Sequence, residues 1–324
     1  MPRMVDAVLS PSPTGMLRLA WASLLANIVI VLTGGAVRLT GSGLGCPTWP
    51  RCTEATETEP GSFVPHAELG AHAIIEFANR MLTFVLVAVA VLTFVAAWRL
   101  RPVRGSVRTL ALLLALGIPA QAVIGGVTVL TDLNPWIVAG HLLVSMALIS
   151  LAVVMIRRVA EGDGQARPLL PAPAVWLFRT TYAVTWGVLY LGTVVTGSGP
   201  HAGDANAPRN GLDPAAMSQL HADGVFLLVG LTIGCVAVAR ALGAPAPVVR
   251  AASLLLGIEL AQGTIGFVQY VTDLPEVLVA AHLLGAAVLV AAATHLLLST
   301  HTRAGGEAQR SSGSIAASTN SSAR

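Results

Sequence analysis

Three histidines lie inside long apolar stretches of this chain: His141, His221 and His282. A polar ring in such surroundings is costly unless it meets a ligand or a partner. His141 and His282 each fall about seven residues past a matched turn, TDLNP at 131–135 and TDLPE at 272–276. At 1.5 Å per helical residue that depth is about 10 Å. His221 lies just inside the same end of another stretch, so it can face His282 at similar depth. Two inward imidazoles on two helices are what axial ligation of a haem iron from both sides requires. A single such histidine is more often packed or interfacial; a repeat-related histidine with a partner is harder to dismiss. Aligning the second apolar stretch with the sixth puts Asn79 where His221 stands, with Glu76 at i−3 on the same face. An amide is a weak iron ligand, so one pair reads as a closed site and the pair His141–Asn79 as an open one. Glu76 is an acid inside an apolar stretch near Arg80, suited to accept protons or to form an ion pair with Arg80 or Arg38. His72, seven residues before Asn79, is either a stand-in ligand or an interfacial histidine.

Long helices must carry these groups. Of 324 residues 54% are apolar and 11% charged, against about 25% charged in soluble chains. Eight stretches are long enough to span a bilayer, at roughly 17–38, 72–98, 107–130, 135–157, 175–196, 217–240, 248–271 and 276–299. The first is too long for a signal-peptide core, and no small-residue cleavage site follows it. The halves repeat: 115–148 matches 256–289, pairing Gln121 with Gln262, Gly125 with Gly266, Asp132 with Asp273 and His141 with His282, each 141 residues apart. TGSG at 40–43 recurs at 196–199. The expected fold is therefore all-α and integral to the membrane. It has eight transmembrane helices as two tandem, repeat-related four-helix bundles around an axis along the membrane normal.

All 19 basic residues are arginine, and 15 of them fall on one side of an eight-span arrangement. The positive-inside rule then puts both termini in the cytoplasm of a cell-membrane protein. The basic balance is a topology signal and excludes nucleic-acid binding. The division expected is a cytoplasmic N-terminal tail at 1–16, an N-terminal half at 17–157 and a cytoplasmic linker at 158–174. A C-terminal half at 175–299 and a disordered cytoplasmic tail at 300–324, rich in Ser, Gly and Ala from Gly305, complete it.

Of three cysteines, Cys46 and Cys52 share the first outer loop with Pro47 and Pro50 on the oxidising side, which favours a small disulfide ring, as a brace or as a redox pair. Cys235 reads as packed. Gln121 and Gln262 are expected to hold helices together, and Gly125, Gly126 and Gly266 to let helices approach closely. Glu259 reads equally as a proton-handling group or a hydrogen-bonded core acid. Arg38 and Arg209 read equally as partners for anionic groups or as solvated.

GSGLGCPTWPRC at 41–52, IEFANR in the second stretch, and AGHLL and AAHLL in the fourth and eighth together resemble the haem A synthase family over nearly the whole chain to about residue 300. The resemblance implies a membrane oxidoreductase that turns a ring methyl of haem O into the formyl group of haem A by successive hydroxylations. It implies that His221 and His282 are axial ligands of a haem b. His141, Asn79 and Glu76 then belong to the substrate haem pocket, with Glu76 and His141 catalytic. Many members carry His where this chain has Asn79, and the Asn form resembles an actinobacterial branch. Haem O synthase and an electron acceptor are the partners implied beyond haem O and the bilayer. A dihaem cytochrome b predicts strong ligand pairs in both halves, which Asn79 opposes. A haem transporter or chaperone needs no Glu76. Flavin, nicotinamide and P-loop motifs are absent, as is the Asp-rich motif of a farnesyltransferase.

Overall fold

A computed structural model describes residues 11–56, 60–66 and 70–303. Of the expected tails at 1–16 and 300–324, residues 1–10 and 304–324 lie outside the described residues. The described chain forms eight long helices: α1 Pro13–Leu39, α2 Gly70–Arg99, α3 Gly105–Leu130, α4 Pro135–Glu161, α5 Ala172–Ser198, α6 Pro214–Ala241, α7 Ala246–Val271 and α8 Glu276–Ser299. Start signals are local. Ser12, Asn134 and Asp213 cap α1, α4 and α6 by accepting the N–H groups of Gly15, Trp136 and Ala216, each with proline in the first turn. The loops before α4 and α8 turn through left-handed backbone at Asp132 and Leu133 and again at Asp273 and Leu274. The same turn is thus built twice from residues that pay for positive φ.

Seven of these helices are long and apolar enough to cross a membrane. The eighth, α5, is 27 residues long but rich in threonine. Four of its five threonine hydroxyls donate to carbonyls of the same helix: Thr181 to Leu177 O, Thr185 to Thr181 O, Thr193 to Tyr190 O and Thr196 to Gly192 O. Large apolar side chains such as Trp21, Phe84, Phe226 and Phe267 stay exposed, the outside-apolar pattern of a chain solvated by lipid.

Helix α1 packs on α2 and α4, and α3 on α2 and α4; likewise α6 packs on α5 and α7, and α8 on α5 and α7. The two groups meet through α4 and α1 against α8, and α4 against α5. Leu283 of α8 lies against Gly35 of α1, where a Cβ would overlap it. Deeper in the contact Thr294 donates to Ser150 Oγ at 3.1 Å. At the end bearing the α1–α2 loop, Gly43 N–H donates to Gly203 O.

The opposite end carries two strands absent from the expectation. β1 Ala166–Pro168, inside the linker, pairs antiparallel with β2 His301–Arg303, at the head of the supposedly disordered tail. The linker is also shorter than expected, because α4 runs on to Glu161 and α5 begins at Ala172. A pair of three-residue strands, β1 exposed throughout and β2 partly so, is held by backbone bonds and by Arg303 donating to Gly164 O, so no apolar alternation announces it.

Candidate functional site

His221 on α6 and His282 on α8 come together as expected. Their ring centres are 6.4 Å apart and their planes cross at 76°. Two metal–imidazole bonds of about 2.0 Å each, with about 1.1 Å from nitrogen to ring centre at either end, require about 6 Å. The observed separation therefore fits one iron between the rings. Each ring lies against a glycine of the preceding helix: a Cβ at Gly192 would come to 3.2 Å from His221 Cε1, and one at Gly266 to 3.3 Å from His282 Cε1. Gln262 donates to His282 O at 2.9 Å and fixes that turn of α8.

The same construction recurs in the first four helices. Gly125 of α3 faces His141, with a Cβ reaching 3.3 Å from Cε1. Gln121 donates to His141 O at 3.0 Å and to Ser145 Oγ. The counterpart of His221 is Asn79 on α2; a Cβ at Gly34 of α1 would come to 3.8 Å from its Nδ2. Nδ1 of His141 and Oδ1 of Asn79 are buried without a hydrogen-bond partner, while the His221 and His282 rings lie beside the backbone carbonyls of Val188 and Gln262. Buried polar atoms are normally satisfied, so the two unpartnered atoms of the first four helices leave room for a partner that the chain does not supply. No group of three or more His, Cys, Asp and Glu gathers among the described residues. Haem needs no such group, because its ring supplies four nitrogens and the protein only the axial ones. On its donor set, its spacing and its glycine-cleared faces, the His221–His282 pair fits a haem; in the first four helices His141 is one strong ligand, and Asn79 stands at the position that repeats His221.

Glu76 is 5% exposed and both oxygens are engaged. Oε2 accepts the Cys46 N–H at 2.7 Å; Oε1 accepts from Arg80 at 2.5 and 3.0 Å. Arg80 also donates to Thr48 O, Cys46 O and Arg51 O. The ion pair foreseen as the alternative for Glu76 is therefore present, and it clamps the α1–α2 loop onto α2. Cys46 and Cys52 form a disulfide within that loop, both sulfurs fully buried.

Between them Trp49 lays its indole on Gly126, where any Cβ would overlap the ring; the neighbouring Gly125 faces His141. Trp49 was not singled out from the sequence. The proline-flanked TWP within the cysteine ring was the only signal, and it does not say which helix the indole meets. Gly34 and Gly192 were missed for the same reason.

His72 is exposed and its Nδ1 is 3.0 Å from Ser42 Oγ, at the start of α2. Arg38 is not solvated: it donates to His201 O and Thr196 O, linking α1 to the end of α5. Arg209 donates to Ala207 O and Pro200 O. Glu259 is 3% exposed, with Oε1 accepting from Thr232 and Oε2 unpartnered. Cys235 is buried 3.3 Å from Thr181 Oγ1.

A family model described as cytochrome oxidase assembly protein matches residues 17–209, which hold the loop, Glu76, Asn79 and His141. The chain is 28% identical over 187 residues to the heme A synthase of Staphylococcus haemolyticus, covering 56% of this chain and 57% of that protein. It is 36% identical over 143 residues to the heme A synthase of Lysinibacillus sphaericus, 43% of each chain. It is 28% identical over 142 residues to that of Listeria welshimeri, 44% of each. The chain thus spans about half the length of the curated relatives it matches.

Proposed function

This multi-pass membrane protein belongs to the cytochrome oxidase assembly protein family, and from that membership we propose that it is a haem A synthase. Its reaction is then the oxidation of one ring methyl of haem O to a formyl group. Each of two hydroxylations replaces a C–H bond by C–OH; with water as the oxygen source each releases two electrons and two protons. The resulting gem-diol loses water. The electrons pass to an acceptor, and haem O synthase is the natural donor of the substrate.

What supports this reading is the observed His221–His282 pair set against the unequal residues at the repeat-matched positions of the first four helices. His221 and His282, 6.4 Å apart, are a two-imidazole site. His141 and Asn79 are an imidazole and an amide, each with a buried unpartnered atom. The first pair suits a resident haem b, which when bound supplies a one-electron relay. The second suits a haem that must enter and leave, hence the substrate. His141 orients haem O through its iron. Trp49, resting on Gly126, closes the pocket toward the loop and excludes water from the ring. Glu76 holds the loop in register and is the carboxylate assigned to the protons released as the methyl is oxidised.

The architecture in this reading is eight transmembrane helices in two tandem repeat-related bundles, α1–α4 for substrate and α5–α8 for haem b. The recurrence of the glutamine clamp, the histidine-facing glycine and the left-handed turn supports it. Both termini then lie in the cytoplasm and the disulfide loop faces the oxidising side, in keeping with the arginine distribution.

The test is pigment extraction from a host that makes haem O but no haem A. Expression of this chain is expected to produce haem A, and the purified protein to retain one haem b. Two tightly held b haems and no haem A would instead support the dihaem cytochrome.

A further inference from the structure

A groove of about 610 Å³ opens at the end of the helices away from the disulfide loop, between the last turn of α6 and the first turns of α7, with α8 behind it. Arg240, Arg250 and His295 line it together with Ser253, while Val249 and Leu254 make an apolar wall. Neither guanidinium has an acidic partner: the ion pairs among the described residues are Arg80–Glu76 and Arg157–Glu161. The segment from Arg240 to Arg250 contains no acid. Helix α7 begins here at Ala246 without a side-chain cap, which adds the positive end of its dipole. Arg250 to Leu254 is one helical turn, about 6 Å, and Leu254 is 56% exposed. The groove therefore passes from cationic to apolar along the direction in which a lipid passes from headgroup to chain.

We propose that this groove binds an anionic phospholipid, its phosphate between Arg240 and Arg250 and the start of an acyl chain along Val249 and Leu254. The assignment is independent of the haem reading. Two unpaired guanidinium groups and the absence of a carboxylate favour net negative charge over a zwitterionic headgroup, whose quaternary ammonium would meet cations and no anion. The apolar wall, on helices that cross a membrane, favours a lipid over free phosphate. Arg157, whose Nη2 pairs with Glu161, contributes no free cation.

The test uses the delipidated full-length protein in neutral detergent, titrated with dioleoyl phosphatidylglycerol, dioleoyl phosphatidylcholine or inorganic phosphate. Bound lipid is counted by native mass spectrometry. Phosphatidylglycerol is expected to bind at least about tenfold more tightly than phosphatidylcholine, and inorganic phosphate is expected not to displace it. Arg240→Gln with Arg250→Gln should abolish the preference, while the control pair Arg99→Gln with Arg101→Gln, at the same end but outside the groove, should keep it. If the double variant does not survive purification, each single variant should show part of the loss. Equal binding of the two lipids, or an equal loss in the control pair, overturns the site. Displacement by inorganic phosphate overturns the lipid in favour of a free-phosphate site.

Discussion

Replacing Arg80 by Met should loosen the disulfide loop far more than replacing Glu76 by Gln, although both break the same ion pair. The reason lies in what each leaves behind. Without Arg80, the Glu76 carboxylate keeps only backbone N–H groups, of Cys46 and Gly45, in a site where its side chain is 7% exposed. Stranding a buried charge this way costs about 3–5 kcal/mol; the lower end applies, since Arg80 is 20% exposed on the loop side. Cys46 O, Thr48 O and Arg51 O lose their donor as well. With Gln at 76, an oxygen still serves Cys46 and Arg80 still holds the three carbonyls; the two Arg80 bonds to Oε1 are lost, but the part-exposed guanidinium exchanges them for water, so the net loss is about 1.5 kcal/mol. Every 1.4 kcal/mol is tenfold in an equilibrium. Opening of the loop should therefore rise about 100-fold in Arg80→Met and about tenfold in Glu76→Gln. The buried Cys46–Cys52 bond reports that opening. Its rate of reduction by dithiothreitol, quenched by alkylation and counted by mass, should follow the open population when reclosing is fast. Equal rates in the two variants, or a Glu76→Gln protein reduced faster than Arg80→Met, would refute the clamp.

Three further outcomes are expected. His282→Ala or His221→Ala should abolish the low-spin signal of haem b, whereas His141→Ala should leave it and stop haem A formation; optical and EPR spectra of the purified variants decide it. Glu76→Gln should keep normal haem b content while cells accumulate haem O or a hydroxylated form; normal haem A in extracted pigment would leave Glu76 as the loop's anchor alone. Asn79→His should equip the first bundle with a second imidazole, so substrate haem should remain through purification and slow turnover; an unchanged haem-to-protein ratio would count against Asn79 facing the substrate iron.

The eight helices were legible in the sequence because apolar length is a one-dimensional property, and the observed ends fall within a few residues of the expected ones. The His221–His282 pairing was legible because a duplicated chain carries its register with it: once His141 and His282 align, their depth follows from helical rise. The disulfide followed from two cysteines in one short loop. The task of Glu76 was not readable, since its partners are backbone N–H groups and an arginine that itself grips three carbonyls. Every residue carries those backbone groups, so no residue type marks them. Trp49 on Gly126, Gly192 beside His221 and the β1–β2 pair are likewise contacts between segments distant in sequence. Composition and spacing fix which residues share a helix face. Which glycine opens beside which ring, and which indole closes over it, depends on how helices rotate and approach one another, and that is set only when the whole core packs.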